Sequence, residues 1–256
     1  MARKIVVAVF LFVLGVGFVF PLYAANGPLN LSLCFVVDAS GSMRGNKLAA
    51  AKDAVRTTVG TLRSDLGIET ALFAFGGCNS CRLMQDFTQN PKSILNSLGF
   101  NAGGDTPLAF SMKKGADYLQ KSGQGPRGVL IVLSDGKETC GGNPGEVARE
   151  IAGRQMRIRI EVIGFDISPG SKTENQLKEM AVNGGGKYYP AQNVGDLANV
   201  FKQVVDSSIK SSLPPAKKDQ PLRFEQLGPS DWDDPGQGPD KEKDPYAPDY
   251  EQYDLN

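Results

Sequence analysis

Two short stretches constrain the fold of this chain more than any other feature. Residues 31–37 and 128–133 are almost uninterrupted apolar runs of strand length. A strand of that kind must be buried on both faces, which requires a parallel sheet with a layer on each side. Between and after these runs, strand and helix patterns alternate. Residues 47–62 place Leu48, Ala51, Val55, Thr58 and Leu62 three or four apart, which predicts a helix with one apolar face. Helices are also predicted over 91–98, 107–120, 145–153, 174–182 and 196–209, and strands over 70–75, 82–87, 158–163 and 187–189. Residues 70–75 and 82–87 are joined by Gly76-Gly77-Cys78-Asn79-Ser80-Cys81, a hairpin-type connection, so the second of them is expected as an antiparallel edge strand. The prediction is an α/β, doubly wound, mostly parallel six-stranded sheet with one antiparallel edge strand and helices on both faces.

The two ends differ from this central region. Arg3 and Lys4 precede an apolar, glycine-containing run over 5–20, Pro21 breaks it, and Ala24 or Ala25 offers a small residue for cleavage, with Ala24 the better fit. Residues 1–25 are therefore expected to be a signal peptide, with an uncleaved membrane anchor as the alternative. The protein would then be exported to a periplasm or the extracellular space, with no membrane insertion after cleavage. Residues 213–256 hold eight of the sixteen prolines and eleven acidic against five basic residues. Such a composition cannot bury enough apolar surface to offset ordering, so this part is expected to be an acidic, proline-rich disordered tail. Residues 26–212 carry a net +4 and the tail −6, which the overall charge of zero conceals. That balance gives no basic field for nucleic acid. Histidine is absent, which excludes the Ser-His-Asp triad, the Cys-His pair and the HExxH zinc protease.

In an open parallel sheet, chemistry gathers beyond the carboxyl ends of the strands. The 31–37 strand leads into Asp38-Ala39-Ser40-Gly41-Ser42, and the 128–133 strand into Ser134-Asp135-Gly136. Between them Gly103-Gly104-Asp105-Thr106-Pro107 enters a helix. Two carboxylates and three hydroxyls, with no sulfur or imidazole, make a hard-oxygen set suited to Mg²⁺ or Mn²⁺ rather than zinc or copper. Each residue also has an ordinary structural use: Asp38 and the serines in a turn, Thr106 as a helix cap, Asp135-Gly136 as a turn pair.

The three elements together resemble the von Willebrand factor A domain, of bacterial exported type, with a complete metal-ion-dependent adhesion site. The motif Asp-x-Ser-x-Ser corresponds to Asp38, Ser40 and Ser42, the separate threonine to Thr106, and the last aspartate to Asp135. The resemblance covers about residues 29–211. It implies that Ser40, Ser42 and Thr106 coordinate Mg²⁺ (or Mn²⁺) directly and that Asp38 and Asp135 act mainly through water or hydrogen bonds. It also implies that a protein partner supplies an Asp or Glu to complete the shell.

Four cysteines in an exported chain invite disulfides. Cys34 lies in a predicted strand and reads as a small buried hydrophobe. A local Cys78–Cys81 bridge is the first expectation, and a bridge from Cys140 to either of them is the rival. The CxxC spacing also raises a thiol–disulfide oxidoreductase, but such motifs open a helix and this one joins two strands. The expected function is therefore a non-enzymatic, metal-dependent adhesion or assembly module. The alternative is an envelope component recognised through its acidic tail.

Overall fold

The computed structural model describes residues 29–154 and 157–213. The expected signal peptide (1–25) and all but Leu213 of the expected acidic tail lie outside these residues. Six strands form one sheet: β1 (Leu31–Asp38), β2 (Ile68–Phe75), β3 (Cys81–Thr88), β4 (Arg127–Ser134), β5 (Arg157–Phe165) and β6 (Tyr188–Ala191). Their order is β3-β2-β1-β4-β5-β6. All neighbours are parallel except β2 and β3, so the antiparallel strand sits at the edge as its short connection required.

The apolar runs explain which strands are central. Every residue of β1 and β2 is buried, and so is every residue of β4 after Arg127. The edge strand β3 has no buried residue. Side chains alternate between two helical layers. Leu31, Leu33, Phe35 and Val37 pack with the helices α1 (Asn46–Gly60), α2 (Pro91–Asn96) and α6 (Val194–Ser212). Cys34 and Val36 pack with α3 (Leu108–Ser122), α4 (Pro144–Ala152) and α5 (Lys172–Asn183). Phe35 meets Phe201 of α6 at 5.3 Å between ring centroids, tying the last helix to the central strand. No helix among the described residues is long and apolar enough to cross a membrane.

Four helices begin as their sequences suggest. Asn90, Asn143, Ser171 and Asn193 each accept a hydrogen bond from a first-turn amide. The helix α3 does not. Pro107 occupies its N-cap position and offers no side-chain bond. The amide of Ala109 instead donates to Glu138 Oε2 at 2.9 Å, a carboxylate from the loop after β4.

The local Cys78–Cys81 bridge expected first does not form. Cys78 is bonded to Cys140, with 5.2 Å between their Cα atoms, as in the rival pairing. The sheet register gives the reason. Cys81 is the first residue of β3, paired with Phe75, and its side chain packs against the layer that contains α3. Cys78 lies in the turn, beside the loops at the sheet's carboxyl edge. Burial pushes the Cys81 thiol up to about 11, so it is neither paired nor primed as a nucleophile. Cys34 is fully buried and free, as its place in β1 suggests.

The Cys78–Cys140 bridge closes a loop of sequence separation 62. By the chain-entropy argument a loop of that size is worth about 4 kcal/mol as an upper bound. Cys140→Ser is expected to lose much of that amount in urea denaturation, and dithiothreitol to produce the same loss in the wild type. Cys81→Ser should leave the dithiothreitol-sensitive difference intact; its abolition would mean that the bridge uses Cys81.

Candidate metal site

Strands β1 and β4 are adjacent and parallel, with Val37 level with Leu133. Their ends therefore deliver Asp38 and Ser134 side by side. Asp38 has no exposed surface. Its Oδ1 accepts from the Ser40 amide at 2.7 Å, and its Oδ2 from the Ser134 hydroxyl at 2.5 Å. Burial raises the Asp38 carboxyl from its ordinary range to about 6, against the opposing pull of these two hydrogen bonds. The nearby Asp135 carboxylate pushes in the same direction as burial.

The other residues singled out in the sequence stand next to it. The Ser40 and Ser42 hydroxyls are 3.1 Å apart, and Ser42 Oγ donates to Asp135 Oδ1 at 2.6 Å. Thr106 is buried and closely flanks the 135–136 turn: a Cβ added at Gly136 would lie 3.6 Å from Thr106 Oγ1. The structure thus brings Asp38, Ser40, Ser42, Thr106 and Asp135 to one edge of the sheet. Among the described residues no group of three or more His, Cys, Asp or Glu side chains could hold a metal, so any cation site here must draw on hydroxyls.

The ordinary uses of these residues are only partly realised. Asp38 does bind a turn amide. Thr106, however, is not the cap of α3, because Pro107 takes that position and Glu138 supplies the acceptor. Ser40 precedes the short 3-10 turn over Gly41–Met43 without a side-chain capping bond. The serine and threonine oxygens are thus not committed to local backbone. Three neutral oxygens beside two carboxylates match what a small hard dication takes.

Several functional contacts were not visible in the sequence. Lys47, on the first turn of α1, places its Nζ 2.9 Å from Asp135 Oδ2 and 2.8 Å from Asp166 Oδ2. Burial works against that charge, but the Asp166 and Asp135 carboxylates outweigh it and hold the ammonium above its ordinary value. Asp166 follows β5 with a left-handed φ of 53°, an uncommon conformation for a residue other than glycine. Thr139 accepts from the Thr106 amide at 2.8 Å and returns its own amide to the Thr106 carbonyl at 3.1 Å. Glu138 also accepts from the Cys140 amide at 2.7 Å. None of these residues follows a recognisable motif; only the polar density of Lys137-Glu138-Thr139 hinted at use.

The hairpin turn is also part of the site's scaffold. Gly77 N donates to the Asp105 carbonyl, Gly41 N to the Gly104 carbonyl and Gly103 N to the Ala39 carbonyl, all within 2.8 Å. The loops approach so closely that a Cβ at Gly76 would lie 2.4 Å from the Gly103 carbonyl oxygen. At Gly104, φ is +79° and a Cβ would lie 2.6 Å from Gly77 N. The disulfide then links this turn to the loop carrying Glu138 and Thr139. Gly104→Ala should therefore destabilise the fold by roughly 2 kcal/mol, since the obstructing atoms are backbone and the backbone angle itself is strained. Urea denaturation measures it, and a change under 0.5 kcal/mol (about the surface-substitution level) would refute the stitched-loop account.

Comparison with known proteins agrees with this architecture. The von Willebrand factor type A domain family matches residues 32–203. The uncharacterized protein YwmC of Bacillus subtilis (strain 168) is 33% identical over 199 residues, covering 70% of this chain and 84% of that protein. The fold is similar to the von Willebrand factor domain of the type V pili tip protein Mfa5 from Porphyromonas gingivalis. That match has TM-score 0.57 and 14% identity, covering 77% of this chain and all of that one. It is also similar to the pilus adhesin SpaC from Lactobacillus rhamnosus GG, with TM-score 0.60, 14% identity, 72% of this chain and 31% of that one. The chain belongs to the von Willebrand factor type A domain family.

Proposed function

We propose that this chain is an exported, metal-dependent protein-binding module of adhesion or assembly type. Mg²⁺, or Mn²⁺, would be held by Ser40, Ser42 and Thr106, with Asp38 and Asp135 behind them. An Asp or Glu side chain of a partner protein would complete the shell. The observation that carries this reading is the convergence of five oxygen-bearing side chains at one sheet edge, three of them hydroxyls left free by the neighbouring helices. A site with few direct charged ligands leaves the cation electron-poor, and an anionic oxygen from outside is then a favoured ligand. The pilus location in the names of SpaC and Mfa5 supports an adhesive role outside the cell. The expected signal peptide supports export. The half-buried Cys81, with its thiol pushed up, and the Cys78–Cys140 bridge leave the CxxC spacing without a reactive pair, which favours binding over redox catalysis.

A thermal melt tests the metal. A ligand that binds only the folded state stabilises it by RT ln(1 + [L]/Kd), or about 1.4 kcal/mol at ten times Kd. Mg²⁺ or Mn²⁺ should raise the wild-type melting temperature by a few degrees relative to EDTA and leave Asp38→Ala unmoved. If metal at tens of millimolar does not shift the wild type, this reading is wrong.

A pH series tests Asp38 separately. Its carboxyl is raised from 3.8 to about 6 in the fold. A raised acid favours the folded state while protonated, fully below pH 4 or so. That contribution, roughly 3 kcal/mol in the metal-free protein, is lost as pH rises through about 6. A dication favours the carboxylate, so metal binding expels the proton and the apparent affinity should fall by up to about tenfold per unit below pH 6. Isothermal titration at pH 5 and pH 7 measures it; equal affinities would mean that metal binding expels no proton from Asp38 in this range.

A further inference from the structure

Among the described residues Lys47 is the cation paired with a carboxylate of the site, and the metal reading gives it no task. Its ammonium lies 2.9 Å from Asp135 and 2.8 Å from Asp166, and 6.0 Å from the centroid of the Phe165 ring. The Asp135 side chain is 1% exposed, that of Lys47 30% and that of Asp166 55%. A buried carboxylate needs a partner charge or hydrogen bonds. Asp135 has both: the Ser42 hydroxyl on Oδ1 and the Lys47 ammonium on Oδ2.

We propose that Lys47 is a built-in counter-cation that competes with the metal for Asp135. The proposal rests on the metal reading above. With no metal, the ammonium neutralises Asp135 and keeps the 134–136 turn in place, so the site stays assembled when empty. A dication arriving beside Ser42 and Asp135 repels the ammonium and takes over part of the carboxylate's charge. The ammonium then turns toward Asp166, which is more exposed and already within reach. Metal affinity is set lower than the bare oxygen set would give, and an empty site does not unravel. Lys47 is a positioning residue here: it acts on the metal through Asp135.

The test uses wild type, Lys47→Met and Lys47→Arg, read by Mg²⁺ titration calorimetry and by melts in EDTA and in Mg²⁺. Lys47→Met should melt several degrees lower in EDTA, because Asp135 loses its partner, and should bind Mg²⁺ about tenfold more tightly, because a like charge within a few ångström is gone. Lys47→Arg should restore both values toward wild type. Wild-type protein supplies a readout that does not depend on any variant folding. Acylation of Lys47 by a small amine-reactive reagent should be faster in saturating Mg²⁺ than in EDTA, as the ammonium loses one of its two anchors. Unchanged affinity in Lys47→Met together with metal-independent labelling of Lys47 would overturn this role while leaving the metal site standing. Absence of Mg²⁺ binding in wild type and Lys47→Met alike would overturn both.

Discussion

Asp38 is a carboxylate with no surface, and the upper edge of the sheet is arranged around it. A buried carboxylate persists only if its oxygens are bonded, and here one takes the Ser40 amide and the other the Ser134 hydroxyl. These two bonds join the turn after β1 to the end of β4. The pairing of β1 with β4, level from Leu31 with Arg127 to Val37 with Leu133, puts Ser134 where Asp38 can use it. A slip of one residue would turn Asp38 to the opposite face. The fully apolar strands thus fix the register, and the register places the two loops together.

The sheet holds a second buried carboxylate near its other end, and the contrast is informative. Glu69 of β2 accepts from the Ser32 hydroxyl at 2.5 Å and from the Gln124 amide at 2.7 Å. Ser32 Oγ in turn accepts from the Gly125 amide at 3.2 Å. That network is closed by the chain's own groups and anchors the entry into β4. At the carboxyl edge the carboxylates are likewise satisfied, but hydroxyls remain over: Ser40 and Ser42 meet chiefly each other and Asp135, and Thr106 is spared from capping by Glu138. The same chemistry builds a structural clasp at one end and, at the other, a cluster of hydroxyls with few bonds to backbone.

Much of this was legible in the sequence because it depends on local pattern. The apolar runs at 31–37 and 128–133 announced central strands. The turn of Gly76-Gly77-Cys78-Asn79-Ser80-Cys81 announced the antiparallel edge, and the motif positions announced which five side chains would gather at one edge of the sheet. What escaped depends on distances that sequence spacing does not contain. Cys78 and Cys81 look like natural partners on paper, yet entry into β3 turns Cys81 toward the layer containing α3 and leaves Cys78 to Cys140. Thr106-Pro107 reads as a helix cap, and only the loop after β4 shows that Glu138 has taken over that task. Lys47 is one of two lysines on α1 until the fold sets it against Asp135.

These unreadable contacts share a purpose. Gly76 and Gly104 allow the loops after β1 and β2 and before α3 to touch backbone to backbone, and the disulfide adds the loop after β4. Loops are ordinarily the softest part of an α/β sheet, because few buried contacts hold them. Here four of them are cross-linked by amide hydrogen bonds, one covalent bridge and the Glu138 and Thr139 side chains, and these links use no side chain of the five-residue set. On the metal reading proposed above, a cation held largely by neutral hydroxyls would gain little per ligand and could not also supply the energy to order its own loops. The ordering must therefore be done beforehand by the scaffold, and that is why the residues around the motif carry as much of the site as the motif itself.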